Sequence, residues 1–171
     1  RQMCIRDSPH PEPISNPPAP RPVDPDSPAP RPLHLQPGAL ALVFLGGIAG
    51  TGMRYLLEEL FPAHGTGWPW ATFGINLSGS LVLGALLEVL ALAGPDDGWR
   101  RRVRVLVGTG FCGSYTTYSS FALETAQLGL HGAPGTAIAY AAVSVVGGIL
   151  CVWAGIALAG AALRGRGGEV A

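Results

Sequence analysis

Gly110-Phe111-Cys112-Gly113-Ser114-Tyr115-Thr116-Thr117-Tyr118-Ser119-Ser120-Phe121 lies inside an otherwise apolar segment of membrane-spanning length. The run holds two glycines, five Ser or Thr hydroxyls and two tyrosines, but no charge. Polar groups in hydrocarbon cost free energy unless they find partners or line a cavity. A helix is therefore expected to break here, and the break is expected to be where the protein works.

The rest of the chain supports a membrane setting. Of its 171 residues 48% are hydrophobic and 13% charged, against about 25% charged in a soluble domain. Mean hydropathy is positive, at +0.33. Net charge is zero, so neither nucleic acid nor another acidic polymer is implied as a partner. Cys4, Cys112 and Cys151 lack metal-ligand spacing, and the latter two read as small buried thiols.

Residues 1–38 form a separate region. Twelve of the 16 prolines lie there, a composition that can neither pack a core nor continue a helix. It reads as a disordered tail, and without an apolar stretch it is not a signal peptide. The chain opens at Arg1 and its first methionine is Met3, so residues 1–8 are set aside as a candidate artefact.

Residues 39–163 hold four apolar segments, each near the roughly 20 residues a transmembrane helix needs. They run over 39–60, 70–93, 103–128 and 135–163, and residues 164–171 make a short polar tail. Glycine and proline clusters separate them. Trp68, Trp70 and Trp99 fall at span ends, as an interfacial aromatic belt would. Gly46 with Gly50, Gly74 with Ser78, Ser80 with Gly84, and Gly155 with Ala159 are small residues at helix-contact spacing. Four short helices can hardly enclose a pore alone, so an oligomer is expected.

The basic residues are all arginine. With four spans, both termini and the middle loop share one side. That side carries Arg21, Arg31, Arg100, Arg101, Arg102, Arg104, Arg164 and Arg166. The positive-inside rule then places both termini in the cytoplasm.

Three ordered stretches carry a resemblance. Gly46-Gly47-Ile48-Ala49-Gly50-Thr51-Gly52-Met53-Arg54-Tyr55 resembles a first-helix pattern GGxxGxxxRY. Thr72-Phe73-Gly74-Ile75-Asn76-Leu77-Ser78-Gly79-Ser80 resembles a second-helix GTxxxNxxGS. The opening run, continued to Glu124, resembles the third-helix GFCGGxTTFSTFxxE. All three belong to the CrcB/Fluc fluoride channels, and the likeness covers about residues 39–163.

The resemblance implies an all-α membrane protein with four transmembrane helices per subunit, the third broken mid-membrane. It implies an antiparallel dimer with two anion pathways at the interface. It also implies a structural Na+ at the dimer centre, held by backbone carbonyls of Gly113 and Thr116. Oxygen donors suit a hard cation, and Gly113 is expected to adopt the backbone angles of the break.

Fluoride is small and tightly hydrated, so its path must replace water with donors. Asn76 offers an amide N–H in mid-helix, the alternative being an interhelical hydrogen bond. Tyr118 and Phe121 match two pore phenylalanines of the family, with positive ring edges toward the anion; Tyr118 departs by adding a hydroxyl. From the residues alone, both rings read more often as core packing. Tyr140 and Ser144, four apart on one helix face, match the family's polar track, and Gly148 stands where a further hydroxyl is expected. Thr117, Ser119 and Ser120 either join the track or cap the broken halves. Ser114 replaces a family glycine. Arg54, within the first span, either attracts fluoride or snorkels to headgroups. Glu124 is expected to pair or to face a water-filled mouth, and Glu88 has no assigned role.

A passive channel in a bacterial cell membrane would vent fluoride outward. The potential is negative inside and is worth about 2.3 kcal/mol per charge per 100 mV. The chain has no nucleotide-binding motif and is not expected to be an enzyme. The arginine asymmetry favours one insertion direction and a homologous partner of opposite topology, with the homodimer left open. A small multidrug or cation antiporter would need a buried carboxylate in mid first span, whereas Glu58 and Glu59 stand at its end. In a non-transporting membrane scaffold, the polar run would be helix–helix glue.

Overall fold

The computed structural model of the chain describes residues 32, 35–62 and 65–167. Most of the predicted tail, residues 1–31, and residues 168–171 lie outside them. Most of the described residues are helical. Helix α1 spans Pro37–Leu60, with a proline in its first turn, where no N–H is needed. It stops at Phe61, ahead of Pro62, because proline disfavours a helical predecessor. Helix α2 spans Trp70–Ala93 and ends at Gly94, whose φ of 121° is open to glycine. Both boundaries match the expected spans to within two residues.

The third expected span is not one helix. It is built from α3 (Gly98–Val103), a π-helical stretch (Arg104–Cys112), α4 (Gly113–Tyr115) and α5 (Tyr118–Leu130). The break is at Thr116 and Thr117, both extended, with ψ of 154° and 124°. Gly113 does not supply it, contrary to expectation. Its φ of −64° and ψ of −27° are ordinary helical values. Two β-branched threonines carry the break because extended backbone is where such side chains are least crowded. The last helix, α6, spans Pro134–Gly167. Of these helices α1, α2 and α6 are individually long and apolar enough to cross a membrane.

The helices pack in two tight pairs, each closed by glycine. Helix α1 lies along the π-helical stretch. A Cβ at Gly46 would collide with the Leu106 carbonyl, one at Gly50 with the Phe111 carbonyl, and one at Gly110 with the Val43 carbonyl. Helix α2 lies along α6, where Gly84 faces the Val152 carbonyl and Gly155 faces that of Leu81. Backbones this close leave no room for side chains, which is how helices gain contact where lipid offers no hydrophobic drive. Gly74 and Ser78 are the exception to the expected pattern. Nothing lies within 4 Å of a Cβ at Gly74. Ser78 Oγ donates back to the Gly74 carbonyl at 2.7 Å and meets the Tyr115 hydroxyl at 2.9 Å.

The core sits toward one end, where Tyr140, Leu128 and Ala137 are buried under Trp68, Phe73 and Phe121. Trp68 is therefore a packing residue rather than part of an interfacial belt. Its ring meets Tyr140 and Phe73 edge to face, both at 5.5 Å. Trp70 and Trp99 are exposed, as expected of the belt. Large apolar side chains also project outward from α1 and α6, among them Phe44, Ile149 and Trp153.

Candidate functional site

The break would be costly if left alone. Separating α4 from α5 frees main-chain groups in a region with little water, each costing several kcal/mol if unpaired. One side chain resolves much of this. Asn76, in the second turn of α2, donates from Nδ2 to the Thr117 carbonyl at 3.0 Å. It accepts the Thr117 N–H on Oδ1 at 2.9 Å. An amide is a neutral copy of the peptide group, so it can take a strand-like place beside one residue. In a continuous helix the Thr117 N–H would go to the Gly113 carbonyl four residues back. Here that carbonyl loses its usual donor.

The hydroxyls of the run finish the ends. Thr116 closes α4 by donating both its N–H and its Oγ1 to the Cys112 carbonyl, at 3.0 and 2.9 Å. Thr117 caps α5, its Oγ1 accepting the Ser120 N–H at 3.2 Å. The same Oγ1 lies 3.2 Å from both Ser119 Oγ and Ser120 Oγ. The capping alternative thus holds for Thr117, and Ser119 and Ser120 join its cluster.

Beside the break lies a cavity of about 410 Å³. Asn76, Thr116, Thr117, Tyr118, Phe121 and Ser144 line it together with Gly113. Three elements far apart in sequence meet here: α2, the break and α6. Among the described residues Ser144 Oγ is buried and has no hydrogen-bond partner, which leaves a free donor on a residue of the cavity wall. Asn76 keeps a second Nδ2 hydrogen beyond the one given to Thr117. Tyr118 is 81% exposed on the single chain, its ring 6.1 Å from that of Phe121.

Four predicted residues do not line the cavity: Ser119 and Ser120, which stay in the Thr117 cluster, and Tyr140 and Arg54, which lie elsewhere. Tyr140 is fully buried behind Phe121, ring centroids 5.3 Å apart, and does not line the cavity. Its hydroxyl donates to Glu124 at 2.8 Å, and buried Thr72 donates to the other carboxylate oxygen at 2.7 Å. Glu124 is therefore paired, as its position suggested. Arg54 is half-buried on α1, away from the cavity and without an ion pair among the described residues. Glu88, unassigned from sequence, stands 3.9 Å from Arg164.

Ser80 is the residue that sequence reading missed. It lines the cavity, and a Cβ at Gly148 would sit 3.6 Å from its hydroxyl. The signal was present: Ser80 stands four residues after Asn76, on the same face of α2.

The chain from 41 to 156 matches the family described as CrcB-like protein, Camphor Resistance (CrcB). The chain belongs to the CrcB family. Curated relatives extend the match. A protein of Cutibacterium acnes named fluoride-specific ion channel FluC 1 is 45% identical, over 73% of this chain and 87% of its own length. Fluoride-specific ion channel FluC 2 of Leifsonia xyli is 47% identical, over 80% and 93%. Fluoride-specific ion channel FluC of a Chelativorans species is 40% identical, over 70% and 94%. These relatives are named as channels, not enzymes. The matched region of the CrcB-family chain contains both tight helix pairs, the break and every cavity residue named above. With its three long apolar helices, this is a multi-pass membrane protein.

Proposed function

We propose that this chain is a subunit of a passive, fluoride-selective channel that exports cytoplasmic fluoride and lowers its toxicity. The observation that carries the reading is the cavity at the broken helix. Its donors are neutral: an amide N–H on Asn76, a free buried hydroxyl on Ser144, and ring edges at Phe121 and Tyr118. Neutral dipoles can replace a halide's hydration and still release it, whereas a fixed cation would hold it. The names of the relatives supply the identity of the anion.

In this reading residues 39–163 form the four-helix channel domain, crossing the cell membrane with the stacked segment 98–130 as the third span. Two subunits pair antiparallel, giving two pathways. Exposed Tyr118 at the open cavity supports a partner's completing the wall. The arginines at 100–102 and 104 support one insertion direction, termini inside, and pairing with a homologous subunit of reversed topology; the homodimer is the other arm of the test.

Na+ fits the break. A helix end whose N–H donor has gone to Asn76 presents carbonyl oxygens, and oxygen donors suit a hard cation. The Gly113 and Thr116 carbonyls of each subunit would hold it. When bound, it neutralises carbonyl dipoles that would otherwise repel a nearby anion. This chain's own residues do the rest: Asn76 holds the break open, Thr117 caps α5, and Tyr140 with Thr72 keeps Glu124 engaged behind Phe121.

Reconstituted liposomes test the reading. Fluoride efflux with chloride excluded, from this chain alone or with a homologue of reversed arginine bias, is the expected result. Drug–proton exchange would replace it with the antiporter, and silence in both assays with the scaffold.

A further inference from the structure

The arginines of α3 and of the first π-helical residue fall into two kinds. Arg100 pairs with Asp97 at 2.7 Å, and Arg104 engages both carboxylate oxygens of Asp96. Arg101 reaches only the Asp96 main-chain carbonyl, at 3.0 and 3.2 Å. Arg102 is exposed and has no ion pair among the described residues. Arg101 and Arg102 line one cleft of about 540 Å³, and no carboxylate among the described residues lines it. Its other walls include Gly38, Ala39 and Leu42 at the start of α1, and Val105.

Arg102, which has no ion pair among the described residues, and Arg101, whose charge Asp96 shares with Arg104, leave the cleft electropositive, and the positive end of the α1 dipole adds to this. Its depth relative to a bilayer is marked twice. It lies where the apolar helix α1 begins, and the neighbouring Trp99 is 58% exposed, as an indole at the headgroup level is. The apolar wall at Leu42 continues along the same face of α1 to Leu45, which is more than half exposed. A soluble phosphate would gain nothing from that apolar track, whereas a lipid uses both halves.

We propose that this cleft is a binding site for an anionic phospholipid. Arg101 and Arg102 hold the phosphate oxygens, and Leu42, Val105 and the outer face of α1 receive the first carbons of the acyl chains. Guanidinium forks match phosphate geometry, and juxtamembrane arginines favour anionic leaflets. The site stands apart from the cavity at the break and does not depend on which ion the protein passes.

Native mass spectrometry of the full chain in detergent, titrated with phosphatidylglycerol or phosphatidylcholine, tests it. A contribution of roughly fivefold per arginine predicts a roughly 30-fold preference for phosphatidylglycerol in the wild type. Arg101→Gln/Arg102→Gln should bring the two lipids near parity, and Arg102→Gln alone, on an exposed side chain that folding does not need, should remove about fivefold. Equal retention of the two lipids by the wild type overturns the site, as does an unchanged preference in Arg102→Gln. Inorganic phosphate binding as tightly as phosphatidylglycerol would assign the cleft to a soluble anion and overturn the lipid. Fluoride efflux, measured separately, tells failure of this site from failure of the channel reading.

Discussion

The turn at 94–97, with the arginines of α3 beside it, and the break at 116–117 face the same difficulty and resolve it with opposite chemistry. Each must satisfy main-chain groups at helix ends. At the turn, charge does the work: Arg100 donates to the Ala93 and Pro95 carbonyls, and Arg101 to that of Asp96. At the break the work is done by neutral groups, Asn76 on both polar atoms of Thr117, and threonine hydroxyls on the Cys112 carbonyl and the Ser120 N–H. Water accounts for the difference. A guanidinium at the surface keeps much of its hydration, while one at membrane depth would lose it at a cost of several kcal/mol. An amide has no such penalty, and it leaves a dipole to offer an anion.

Removing the clasp should break the comparison most severely. Asn76→Ala strands a buried N–H and a buried C=O, and at about 1–3 kcal/mol each the loss is roughly 2–6 kcal/mol. Thermal unfolding in detergent should show this, with fluoride efflux abolished. Asn76→Asp sharpens the result, because an ionised carboxylate keeps the acceptor for the Thr117 N–H but sets a charge against the Thr117 carbonyl at membrane depth, and it should be no more stable than Asn76→Ala. Wild-type stability in Asn76→Ala would mean that the break holds itself.

A smaller effect is expected at the cavity wall. Ser80→Ala removes a hydroxyl that stands against Gly148 and should slow efflux severalfold with little change in stability. Adding Gly148→Ser in the same chain should restore flux, since a side chain there points at the vacated place. Failure of the double variant to recover would demote Ser80 to a packing residue.

The turn should respond least, and only to pH. The hydrogen bond from Arg104 holds the Asp96 carboxyl below the usual carboxylate range. Its folded-state value being depressed, the stability it contributes is present above the unfolded value, near 3.8, and is lost as pH falls through the folded one. Wild type should therefore loosen at the acid end in a thermal scan against pH, and Asp96→Asn should flatten that limb. An unchanged acid limb would show that the pair is idle.

Much of this protein was legible before any coordinates. Apolar length placed α1, α2 and α6, because lipid permits few alternatives to a helix. The uncharged polar run marked the break, because such a run has no other use at that depth. Gly46, Gly50, Gly84 and Gly155 announced close packing by spacing alone. The tertiary structure decided what local pattern cannot carry. The break fell on two threonines and not on Gly113, since the partner that stabilises extended backbone there is Asn76, 41 residues away. Trp68 went inward because Tyr140, from α6, offered its ring. Ser80 became a wall residue only once α6 was laid against α2. Periodicity reports which face of a helix is buried. It does not report which distant groups meet that face, because pairing depends on how the helices cross.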